Sequence, residues 1–159
     1  MSRQLWLLRH GEAEPHGVRS DPERRLTARG EEQARAAGAA LAALDTPPML
    51  VFTSPKVRAR DTAALACESL QLDPVVHDAV VGLEADEALA LLAAVSDGER
   101  VMLVGHEPDF SQVVADLTGA RIDMKKGGIA VIKLDGSRGE LVALLRPREL
   151  RAIADDATS

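Results

Sequence analysis

Three short apolar runs set the strongest constraint on how this chain can fold: Leu5-Trp6-Leu7-Leu8, Met49-Leu50-Val51-Phe52 and Val101-Met102-Leu103-Val104. None contains a polar alternation, and each is followed by turn residues and then by apolar positions at helical spacing. An unbroken run of this length suits a strand covered on both faces, as in a parallel sheet between helix layers. Ligands in such sheets bind outside the carboxyl ends of the strands. The runs stop at Arg9-His10-Gly11-Glu12, at Thr53-Ser54-Pro55 and at Gly105-His106-Glu107-Pro108, so chemistry is expected there.

The intervening segments complete the reading. Residues 13–26, rich in Pro, Gly and charge, form a loop carried over the end of the first strand. Thr27 then offers an N-cap to a helix with Ala34, Ala37, Leu41 and Leu44 on one face, stopped by Asp45-Thr46-Pro47-Pro48. A second helix follows the second run, with Ala59, Ala63, Ala66 and Leu70 on its apolar face and Arg58 in its first turn. Residues 75–81 are weakly extended, and residues 85–95 are helical with Leu89 and Leu92 buried. A further helix covers 109–117. Lys125-Lys126-Gly127-Gly128 leads into Ile129-Ala130-Val131-Ile132, and Asp135-Gly136-Ser137 turns the chain into Leu141-Val142-Ala143-Leu144-Leu145, an antiparallel hairpin. A short terminal helix from Arg146-Pro147 frays over the last five residues, 155–159. The expected fold is α/β: a three-layer α/β/α sandwich with a mostly parallel central sheet and an antiparallel hairpin near the C-terminus, in one domain over residues 1–159.

Composition excludes several classes of function. A formal net charge of −6 argues against nucleic-acid partners, which need a basic surface to release counterions. With no Tyr, two Phe and one Trp, the core is aliphatic and ligands are not held by aromatic stacking. The amino terminus enters the first strand without a signal-peptide pattern, and no apolar run approaches membrane-spanning length. Cys67 is the single cysteine, so no intrachain disulfide is possible, and its alanine-rich helical setting makes it a packing residue. A cytoplasmic protein without a membrane partner is expected.

At the strand ends the residue types point to an anion. Arginine offers a permanently charged planar fork matched to phosphate oxygens, and histidine a nitrogen that acts as nucleophile or base near neutral pH. Gly11 lets the backbone approach a ligand closely. Arg58 in a first helical turn is misplaced against the helix dipole, the kind of local conflict that marks a functional position. If the strands are parallel neighbours, Arg9, His10, Arg58 and His106 converge. Arg60, two residues from Arg58, points elsewhere, and His77 is structural or exposed. Arg19, Arg24, Arg25 and Arg29 either attract an acidic substrate or partner or simply solvate their loop.

Taken in order, Leu8-Arg9-His10-Gly11-Glu12, Leu26-Thr27 with Gly30 and Gln33-Ala34, Thr53-Ser54-Pro55 with Arg58-Ala59 and Thr62, and Val104-Gly105-His106 with Pro108 resemble the histidine phosphatase superfamily. The short length, the Met124–Ala130 stretch and the Leu145–Leu150 ending look most like its SixA-type phosphohistidine phosphatase branch. The resemblance implies that His10 is the catalytic nucleophile, transiently phosphorylated, and that Arg9, Arg58 and His106 are catalytic residues that bind the phosphoryl oxygens. Fixed cations suit a transition state whose charge spreads over equatorial oxygens, and the two arginines keep His10 unprotonated by like-charge repulsion.

No cofactor and no metal enter this scheme; a zinc set of His10, His106 and His16 would place a dication beside two guanidiniums. The substrate is expected to be a phosphorylated protein, such as a histidine-phosphorylated signalling domain, or else a small phosphorylated metabolite. Two alternatives are a sugar-phosphate or phosphoglycerate-type phosphomonoesterase, whose relatives tend to carry insertions over the site, and a non-catalytic phospho-ligand binding module, against which the retention of His10 argues. Glu84 is the candidate proton donor but reads as a surface residue, and Glu12 and Glu107 orient their loops.

Overall fold

A computed structural model describes residues 3–95 and 100–158. Its six strands are β1 (Arg3–Arg9), β2 (Leu50–Thr53), β3 (Val75–Val76), β4 (Arg100–Gly105), β5 (Ile129–Asp135) and β6 (Arg138–Leu145). The helices are α1 (Ala28–Ala42), α2 (Val57–Leu70), α3 (Ala85–Ala94), α4 (Asp109–Thr118) and α5 (Pro147–Thr158). The strands form one sheet in the order β3-β2-β4-β1-β5-β6, parallel from β3 to β1, with β5 and β6 antiparallel. All three apolar runs lie on interior strands, but the second is covered only in part: Met49 precedes β2 and, like Leu50, is exposed.

Alternation along these strands divides the core in two, because successive side chains of a strand point to opposite faces. Leu5 and Leu7 of β1 and Val101 and Leu103 of β4 pack with Phe110, Val113 and Leu92 of α3 and α4. Trp6, Leu8, Met102 and Val104 face the other way, onto α1, α2 and α5. This is the expected three-layer sandwich. On the second face Ala37, Ala40, Ala59, Ala63 and Ala66 bring α1 and α2 close together. A Cβ on Gly38 would lie 2.2 Å from the Ala66 carbonyl oxygen. Gly38→Ala should therefore destabilise by about 1–3 kcal/mol, as overpacking outweighs a helix-propensity gain of at most about 1 kcal/mol. Urea unfolding measures this; a stabilised variant would contradict the contact.

Three expectations need correction. Residues 75–81 are not one extended stretch: β3 is Val75–Val76, after which the chain makes a 3-10 turn at Asp78–Val80 that buries Val80. The turn forms because His77 Nδ1 accepts the Ala79 N–H at 3.1 Å. In α3 the buried residues are Ala88, Leu91 and Leu92, with Leu89 half-buried. The terminal helix does not fray at Asp155 but runs to Thr158, since Leu150, Ile153 and Ala154 form an i, i+3, i+4 stripe packed chiefly against α1; Ser159 lies outside the described residues. Among the described residues no helix is long and apolar enough to cross a membrane.

Candidate active site

Register brings the strand ends to one level. Arg9 of β1 pairs with Gly105 of β4, and Thr53 of β2 pairs with Val104. The next residues continue the ladder, with His10 N–H donating to the Gly105 carbonyl and Ser54 N–H to the Val104 carbonyl, each at 3.0 Å. His10, Ser54 and His106 thus leave three adjacent strands side by side. A cavity of about 460 Å³ opens there, lined by all four expected residues, Arg9, His10, Arg58 and His106, together with Arg24, Lys56 and Asp21.

The motif residues between these groups are scaffold. Gly11 faces α1 rather than a ligand: a Cβ there would lie 2.5 Å from the Gly30 carbonyl oxygen, and one on Gly30 would lie 2.0 Å from the Glu12 carbonyl oxygen. Two glycines let the loop after His10 lie directly on the start of α1. Thr27 caps α1 by accepting the Gly30 N–H and donates to the Glu12 carboxylate at 2.9 Å, while Gln33 Oε1 accepts the Glu12 N–H. Thr62 accepts the Gly11 N–H at 3.1 Å and donates to the Arg58 carbonyl, tying the loop to α2. On the opposite side the turn before β5 grips the end of β1: Gly127 N–H donates to the Arg9 and His10 carbonyls, and Arg9 Nη1 donates to the Met124 carbonyl at 2.8 Å.

His10 is buried, and its Nδ1 stands 2.7 Å from the Gly11 carbonyl oxygen. A carbonyl can only accept, so Nδ1 carries the proton and Nε2 keeps its lone pair. Burial lowers the His10 pKa to about 4, opposed by the Gly11 bond and reinforced by Arg58 and Arg9. The imidazole is therefore neutral as expected, but desolvation is the larger cause and repulsion from the arginines the smaller. His106, its ring centroid 5.4 Å from that of His10, is lowered to about 3, again by burial first and then by His10 and Arg58. An unfolded imidazole takes up its proton near pH 6.5, whereas these two wait until about 4 and 3 in the folded chain. Acid thus favours the unfolded state. The urea midpoint should fall as pH is lowered from 7 to 5, and less steeply in His106→Gln; identical slopes would count against the burial of a neutral His106.

Asp21 is a pocket residue that sequence reasoning missed, and Arg24 is one that it named only as a member of the arginine cluster. Arg24 is buried, while Arg19, Arg25 and Arg29 of the same cluster are exposed. Asp21 opens a 3-10 turn, Asp21–Glu23, and its carboxylate takes Lys56 Nζ at 2.8 Å, Arg24 Nη2 at 3.1 Å and Arg58 Nη2 at 3.3 Å; its carbonyl takes Arg58 Nη1 at 2.7 Å. The bond from Lys56, then Arg58 and Arg24, holds its carboxyl far below the usual range. Asp21 so folds the loop onto α2 and fixes the Arg58 fork. No local pattern distinguishes Arg24 from its neighbours; the fold-back of the loop alone does.

Of the remaining candidates, Glu107 and His16 line the same cavity and the others lie outside it. Arg60 and His77 are exposed, and Cys67 is buried with its thiol pushed up to about 11 by burial. Glu84 lies in a separate groove with residues of α3 and α4, where it and Glu87 form the capping box of α3. Glu107 is bound by the Ser111 N–H and hydroxyl at the start of α4, as its orienting role requires. His16 sits at the pocket mouth, yet among the described residues no three His, Cys, Asp or Glu side chains are grouped to hold a metal ion.

Comparison with known proteins identifies the fold and the family. An uncharacterised protein of Picosynechococcus sp. (strain ATCC 27264 / PCC 7002 / PR-6) is 31% identical over 165 residues, covering 92% of this chain and 98% of its own. A SixA protein histidine phosphatase solved with tungstate superposes with a TM-score of 0.81 at 27% identity, over 92% of this chain and 99% of that one. A SixA-type phosphohistidine phosphatase candidate from Nakamurella multipartitia gives 0.78 at 28% identity, over 92% and 97%. The sequence model of the histidine phosphatase superfamily (branch 1) matches residues 5–84, the half of the chain that carries Arg9, His10 and Arg58, and the chain belongs to that superfamily.

Proposed function

We propose that this protein is a phosphatase acting on phosphohistidine in a protein, through a covalent phosphohistidine on His10. The Nε2 lone pair attacks phosphorus in line, and the bond from phosphorus to the substrate imidazole breaks. The departing imidazole takes a proton from water. Water then attacks phospho-His10, and inorganic phosphate leaves while His10 regains its lone pair. Arg9, Arg58 and the His106 N–H hold the equatorial oxygens in both steps, stabilising the spread charge without bond-making of their own. The scheme uses no metal.

One observation carries the choice of substrate: among the described residues, none of the carboxylates lining the pocket stands free as a proton donor. Asp21 is held by three cations, Glu107 by Ser111, and Glu14 by Arg19 Nε at 2.9 Å and the Arg25 N–H at 2.8 Å. An alkoxide leaving from a phosphomonoester is a strong base and forfeits the roughly 10²–10⁴-fold that a general acid supplies. An imidazole leaves without one. A phosphohistidine-bearing protein or phosphoramidate should accordingly be hydrolysed at least about 10²-fold better in kcat/KM than sugar or glycerol phosphates, with Glu84→Gln unchanged, EDTA without effect and tungstate competitive. Preference for a small phosphomonoester together with a large loss in Glu84→Gln would move the protein to the phosphomonoesterase branch; restoration by a divalent metal after EDTA would overturn the metal-free scheme.

A further inference from the structure

The Thr53-Ser54-Pro55 motif contributes a residue that the reaction above does not use. Ser54 is fully buried at the end of β2, and its Oγ makes two contacts: it accepts the Lys56 N–H at 3.1 Å and stands 2.8 Å from His106 Nε2. A serine hydroxyl has one proton to give. With one lone pair occupied by the amide, Nε2 is the acceptor within reach of that proton among the described residues. His106 Nδ1 is one of three buried side-chain nitrogens that have no partner among the described residues, and the other two, Arg9 Nε and Arg58 Nε, belong to the same pocket.

We infer that Ser54 is a positioning residue that donates its hydroxyl proton to His106 Nε2 and thereby places the imidazole proton on Nδ1, which is left to donate to the anion in the pocket. The opposite tautomer would strand the hydroxyl proton without an acceptor and turn a nitrogen lone pair toward the phosphoryl oxygens, a repulsion where a donor is needed. Because burial keeps His106 neutral at pH 7, it has a single ring proton, and the tautomer decides whether it can donate to the anion at all. The backbone therefore sets the catalytic tautomer through one side chain: Lys56 N–H to Ser54 Oγ, Ser54 O–H to His106 Nε2. The identity of the acceptor rests on the phosphatase reading; the tautomer does not.

Long-range proton–nitrogen NMR of the full chain at pH 7, with His106 assigned by its loss in His106→Gln, reads the tautomer directly. The expected spectrum has a protonated Nδ1 and an unprotonated Nε2, and Ser54→Ala shifts protonation toward Nε2 with roughly a tenfold loss of kcat. Ser54→Thr, which keeps the hydroxyl, retains the wild-type ring signature. A wild-type His106 protonated on Nε2 overturns the inference whatever the variants do, and so does a Ser54→Ala protein whose ring signature or kcat is unmoved. If Ser54→Ala does not fold, the wild-type spectrum decides. Failure of the phosphatase reading would show separately, as inactivity on phosphoramidates with the tautomer intact.

Discussion

His10→Ala is expected to lose turnover by roughly 10⁵–10⁶-fold, the scale seen when a covalent nucleophile is removed. The protein should remain folded, because the His10 side chain makes its hydrogen bond to the adjacent Gly11 carbonyl and ties no two elements together. Brief exposure of the wild type to ³²P-labelled substrate, quenched in alkali, should leave acid-labile, alkali-stable label on the chain, and the variant should carry none. Activity in His10→Ala within about tenfold of wild type would sink the nucleophile assignment.

Arg58→Ala should reduce kcat/KM by about 10²–10³-fold, comparable to removal of one oxyanion donor. Arg58→Lys should recover little, since a point charge cannot both bond Asp21 through two nitrogens and present further donors to the anion. The loop should stay near its place, because Asp21 still holds Lys56 and Arg24. Arg60→Ala, an exposed change two residues away, is the control and should leave kcat/KM unaltered. Equal losses at Arg58 and Arg60 would reveal a general effect of positive charge rather than a fork fixed on the phosphoryl group.

The sequence by itself determined the three central strands, the hairpin, the layers and the four residues that meet. Four apolar residues in a row have no polar face to leave in water, so the first and third runs became covered strands and the second a partly covered one, and a strand in such a sheet delivers its next residue to the rim. Arg9, His10 and His106 were legible for that reason, and Arg58 because a cation in the first turn of a helix opposes the dipole. Tertiary structure alone decided the rest. Gly11 was read as room for a ligand and is room for Gly30, because which backbone comes near a glycine depends on helix placement and not on its neighbours in sequence. Arg24 differs from Arg19, Arg25 and Arg29 through the Asp21 carboxylate, which folds the loop onto Lys56 and Arg58. The neutral state of His10 follows more from burial than from the arginines beside it. Desolvation depends on everything packed around a group, and no spacing along the chain encodes it.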